Sequence, residues 1–145
     1  MGSVDVGIAP VTAAQQAAIA TRVSGAGAGS TPSFLALSGN YPYLKAFDPT
    51  TKGLPAGGKK ILVFMSDGEP SDCGGGANTK CTVLPTQFAA EGITTYAILF
   101  SDGGTTAALR NFMAQIAKNG GGTANANCDP ASTTPATYCH YEVNT

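Results

Sequence analysis

The chain has 145 residues, 43% hydrophobic and only 12% charged, with a formal net charge of −1. That length suits one packed domain, and the lack of any lysine or arginine cluster removes the footprint needed for nucleic acid or an anionic membrane. No apolar run approaches the ~20 residues of a membrane-spanning helix, and the amino terminus has neither the basic nor the apolar region of a signal peptide, so Met1-Gly2-Ser3 reads as an expression start.

In chain order, Val4-Asp5-Val6-Gly7-Ile8 alternates as a strand with Val4, Val6 and Ile8 on one face, and Pro10 ends it. Thr12 and Gln15 form a capping-box pattern ahead of an alanine-rich helix over Ala13 to Val23. Gly25 to Gly29 breaks it. Thr31-Pro32 then restarts a helix, with a hydroxyl residue at the cap and proline in the first turn. Phe34, Leu35, Tyr41 and Leu44 are its expected buried face, while Gly39 and Pro42 predict a kink or two short pieces.

Phe47 to Gly58 is a loop by its proline and glycine content. It leads into Lys59 to Pro70, KKILVFMSDGEP, on which the rest of the chain is organised. The apolar run Ile61 to Met65 predicts a strand buried on both faces. Asp67 falls at its carboxyl end, where open α/β sheets bind ligands. Opening an Asp-Gly turn is an equally good reading of that residue.

Past a glycine-rich excursion, Val83 to Glu91 reads as a short helix entered near Pro85 and closed by Gly92. Ile93 to Phe100 is a second buried strand, ending at Ser101-Asp102. Leu109, Phe112, Met113 and Ile116 mark an amphipathic helix that stops at Asn119-Gly120. Gly121 to Cys139 is a long polar loop, and Tyr141-Glu142-Val143 a final short strand. Strands alternating with helices predict an α/β fold with a mostly parallel sheet, right-handed crossovers and helices on both faces.

The four cysteines fall as two local pairs, Cys73 with Cys81 and Cys128 with Cys139, each in a polar loop that needs support. Neither pair has the short spacing of a zinc site, and the lone histidine, His140, abuts Cys139. Two loop-closing disulfides in an oxidising compartment are expected, with free cytosolic thiols as the alternative.

KKILVFMSDGEP, the Cys-bearing loop, EGITTYAILF and LRNFMAQIAKNGGG leading to YEV resemble, in order and spacing, the middle-to-C-terminal part of a bacterial-type von Willebrand factor type A domain. VDVGIAPVTAAQQAAI and GSTPSFLAL resemble the segment before it. The resemblance implies a Rossmann-like sheet with a metal-ion-dependent adhesion site at its top. Matched by position, Thr31 is that site's threonine and Asp67 its aspartate, both hard oxygen donors suited to Mg²⁺ or Mn²⁺. Ser66 and Glu69 in the same turn, and Asp102 at the end of the second strand, are the candidates to assist. Thr31 is equally well explained as a helix cap.

The chain departs from the family in lacking the Asp-x-Ser-x-Ser strand before Thr31 and the helix after the last strand. An internal fragment, or a reduced domain completed by another chain, both fit that pattern. With two protein ligands, cation affinity is expected to be weak. The implied function is a non-catalytic, extracellular or cell-surface (or periplasmic) module for a protein ligand. The alternatives are a structural subunit of a pilus or surface assembly and, less favoured, a Mg²⁺-dependent phosphoryl-transfer enzyme using Asp67 and Asp102. Against the enzyme, the chain has no Walker loop, dinucleotide fingerprint or nucleophile elbow.

Overall fold

The computed structural model describes residues 6–25, 29–74 and 79–144. Its regular elements are helices α1 (Ala13–Ser24), α2 (Ser33–Ala46), α3 (Thr79–Ala89) and α4 (Ala107–Asn119), and strands β1 (Lys60–Ser66), β2 (Ile93–Ser101), β3 (Gly121–Gly122) and β4 (Tyr141–Asn144). Strands β1 and β2 run parallel from Lys60 opposite Ile93 to Ser66 opposite Leu99, with α3 crossing between them as expected. On the far side of β2, the two-residue β3 pairs with Thr95 and Tyr96, and β4 pairs with Ile98 to Ser101. Every pairing is parallel, and the α/β class stands.

The core lies between one face of this sheet and three helices. Leu109, Phe112, Met113 and Ile116 of α4, the predicted stripe, are all buried, against Phe64 of β1 and Ala97 and Leu99 of β2. Leu37 and Tyr41 anchor α2 there. Tyr41 stacks on Phe88 of α3 at 4.2 Å, and its hydroxyl meets that of Thr95, which satisfies two polar groups inside the core. Burial pushes the Tyr41 pKa up to about 12, against the opposing pull of the Thr95 hydrogen bond.

Several expectations change. Strand β1 is buried on one face only: Ile61, Val63 and Met65 are 47, 50 and 58% exposed, and Phe100, Tyr141 and Val143 continue the open face on β2 and β4. Helices α2, α3 and α4 all pack on the opposite face, so among the described residues the expected second helical layer does not cover the sheet. Helix α2 is one uninterrupted element despite Gly39 and Pro42, because the buried Leu37 and Tyr41 hold both halves against one core. Leu35 points outward, and Leu37 takes its place.

Helix α3 starts at Thr79 rather than Val83, with Pro85 buried inside it. The Cys73–Cys81 disulfide ties that first turn to the preceding loop. Gly121 and Gly122 form β3 instead of a loop; Gly121 takes a left-handed φ of 72°, and a Cβ on Gly122 would collide with the Thr95 carbonyl. Val6 to Ile8 is irregular rather than a strand, and Val4 and Asp5 lie outside the described residues. The second disulfide, Cys128–Cys139, closes the long polar loop as expected, and Ala124 N–H donates to the Cys139 carbonyl within it at 2.8 Å.

Candidate functional site

The carboxyl ends of β1 and β2 deliver Ser66-Asp67 and Ser101-Asp102 to one edge of the sheet. The segment 29–33 leading into α2 comes up beside the first of these turns. Gly29 to Ser33 and Phe64 to Asp67 line one crevice of ≈ 400 Å³. Thr31 is pressed against the turn so closely that a Cβ on Gly68 would sit 3.0 Å from its Oγ1. The Thr31 carbonyl also accepts a hydrogen bond from Ser71 N–H at 2.9 Å, which locks the two loops together.

The cap on α2 removes one of the two readings of Thr31. Its hydroxyl does not cap the helix. Asp72, thirty-eight residues away from Phe34, does so instead: its Oδ1 accepts from Phe34 N–H at 2.9 Å and its Oδ2 from Leu35 N–H at 3.0 Å. A carboxylate at a helix N-terminus satisfies orphan donors and complements the dipole. The Thr31 hydroxyl is left without a hydrogen bond to any described residue, and so is the exposed Asp67 carboxylate.

Sequence reasoning missed one further oxygen. Ser33, only 2% exposed, lines the same crevice, and its Oγ has no hydrogen-bond partner among the described residues. A buried hydroxyl is normally paired, and a Ser two residues after a threonine gave no signal of its own. The Thr31 hydroxyl and the Asp67 carboxylate thus offer unengaged hard oxygens at one crevice, the donor type that Mg²⁺ and Mn²⁺ prefer, with the buried Ser33 hydroxyl behind them.

The other predicted assistants are occupied. Ser66 Oγ donates to the Gly68 carbonyl at 3.0 Å and holds the turn. Glu69 Oε1 accepts from Thr106 Oγ1 at 2.6 Å, tying β1's turn to the start of α4. Asp102 lines a second crevice with Asp67 and Phe100, but its Oδ1 accepts from Gly104 N–H at 2.8 Å in its own turn. No lysine or histidine lines that second crevice.

Two other clusters carry no site. Asp72, Cys73 and Cys81 converge closely enough to hold a metal, yet the cysteines are bonded to each other and both Asp72 oxygens cap α2. His140 is buried, stacked on Tyr138 at 4.9 Å, with Nε2 3.4 Å from Glu142 Oε2. Burial lowers its pKa, with the Glu142 hydrogen bond opposing. Arg110 of α4 grips the same Glu142 through Nε at 3.1 Å and Nη2 at 2.9 Å, pinning β4 to the helix layer. Burial raises the Glu142 pKa, but hydrogen bonds from Arg110 and Ser101 outweigh it and hold the carboxyl below its usual range. No protein-family model matches the chain, and neither does any curated protein or solved structure.

Proposed function

We propose that the chain is a non-catalytic binding module of the von Willebrand factor type A kind, working outside the cytosol, with an incomplete adhesion site around Thr31 and Asp67. The observation that carries this reading is the Thr31 hydroxyl, released from capping by Asp72 and seated against Gly68 beside the free Asp67 carboxylate. The buried Ser33 hydroxyl, without a partner among the described residues, lies behind them. A bound Mg²⁺ or Mn²⁺ supplies positive charge that accepts an acidic group from a partner protein. Thr31 and Asp67 would hold it, with Ser33 joining them if its side chain turned toward the crevice, and the surrounding loops would set specificity. One carboxylate and two hydroxyls make a poor cage, so affinity belongs in the millimolar range, to order of magnitude. The two disulfides favour an oxidising compartment, extracellular, surface or periplasmic.

Calorimetric titration with Mn²⁺ tests this. Millimolar binding by the wild type, lost in Asp67→Ala, supports the reading, and equal binding by both proteins overturns it. The open sheet face and the unpaired edge of β1 favour a second reading, a structural subunit of a surface assembly in which the cation site is vestigial. An enzyme using Asp67 and Asp102 has less support, because one of the Asp102 oxygens already accepts within its turn. Mg²⁺-dependent phosphatase turnover that disappears in Asp67→Asn would restore it.

A further inference from the structure

Strand β1 is an edge. Its only partner among the described residues is β2, so one side of its backbone has no ladder. Edge strands of stable monomers carry lysines, prolines or bulges that discourage pairing. In β1 the one such residue is Lys60 at its start, whose Nζ is turned back onto the Lys45 carbonyl at 2.7 Å, and Ile61 to Ser66 carry none. The free side opens into a groove of ≈ 440 Å³ lined by Ile8, Ala36, Asn40 and Leu44 as well as β1 itself.

The charges at the two ends of the strand identify what fits. Lys59 precedes β1 and Asp67 follows it, and neither forms an ion pair or hydrogen bond with any described residue. We propose that the occupant is a second copy of this chain, whose β1 pairs antiparallel with the first about a two-fold axis at Val63. Such an axis, perpendicular to the sheet, keeps both helix layers on one side. It sets Lys59 of each copy opposite Asp67 of the other, Ile61 opposite Met65, and Val63 opposite Val63. A slip of two residues one way would place Lys59 against Met65; the other way would place Asp67 against Ile61 and Lys59 against Glu69, whose Oε1 is already engaged by Thr106 Oγ1, so the register centred on Val63 is the one that pairs both charged ends. The open-face residues of both copies, Ile61, Val63 and Met65, then form one continuous apolar row, and each copy's edge is closed by the other.

Sedimentation equilibrium of the full chain from 1 to about 200 µM is the test, run in chelator because a cation at Asp67 competes with Lys59 for the carboxylate. The expected species has twice the 14.5 kDa chain mass. Val63→Lys, on the exposed face, should give a monomer of unchanged circular dichroism. Lys59→Asp alone should weaken the dimer at least tenfold, and Lys59→Asp with Asp67→Lys should restore it. A wild type that is monomeric throughout, an assembly larger than a dimer, or a charge-swapped pair that stays monomeric would each overturn the proposal.

Discussion

Removing the Asp72 carboxylate should weaken the start of α2 and, through it, the seat of Thr31. Asp72 supplies two hydrogen bonds to the orphan N–H groups of Phe34 and Leu35, and the first turn of α2 has no acidic residue of its own to replace it. Loss of such a cap costs about 0.5–2 kcal/mol, and loss of a negative charge at a helix N-terminus about 0.3–1 kcal/mol. The two overlap, so Asp72→Ala should cost about 1.5–2 kcal/mol. Asp72→Asn, which keeps one acceptor, should cost about half that. At roughly 3–4 °C per kcal/mol for a domain of this size, Tm should fall by about 5–8 °C in the alanine variant. Urea unfolding gives the free energies, and calorimetry with Mn²⁺ gives the coupling to Thr31. An Asp72→Ala protein within about 0.5 kcal/mol of the wild type, the range of ordinary surface substitutions, would refute the assignment of the cap.

Acid should destabilise the fold in two stages. His140 is held below its ordinary 6.5 by burial, so the unfolded chain takes up its proton first. Stability is therefore full above about pH 7 and falls as pH drops through 6.5 toward the folded pKa. Glu142, also lowered, adds a loss once pH falls below its ordinary 4.5. In His140→Phe, which keeps a ring against Tyr138, the decline of Tm between pH 7 and 5 should flatten; an unchanged slope contradicts the account. Alkylation without reductant should add no mass to protein recovered from an oxidising compartment, and four labelled thiols would contradict the two disulfides. Each closes a loop of about ten residues and should contribute about 2.5 kcal/mol on the chain-entropy estimate.

What could be read from sequence was what local pattern encodes. The period of Leu109, Phe112, Met113 and Ile116 placed α4, and the spacing between the Ile61 and Ile93 runs required a crossover and hence a parallel pair. The two cysteine pairs were legible because each lies within one loop. What stayed hidden depends on residues distant in the chain. Nothing near Thr31 reveals that Asp72 caps α2, so ligand and cap looked equal from sequence. The apolar run of β1 looks the same whether one or both faces are covered, since periodicity does not report on a layer elsewhere. Ser33 acquires meaning only as a buried hydroxyl without a partner.

The most direct test of the proposed cation site is where the ion goes. Mn²⁺ added at substoichiometric amounts to ¹⁵N-labelled protein broadens the amide resonances nearest to it. The account predicts that Thr31, Ser33 and the Ser66 to Gly68 turn broaden first, and that Asp67→Ala abolishes the effect. Broadening centred on another acidic group, such as Asp129 or Glu91, with the Thr31 and Gly68 signals unaffected, would contradict it.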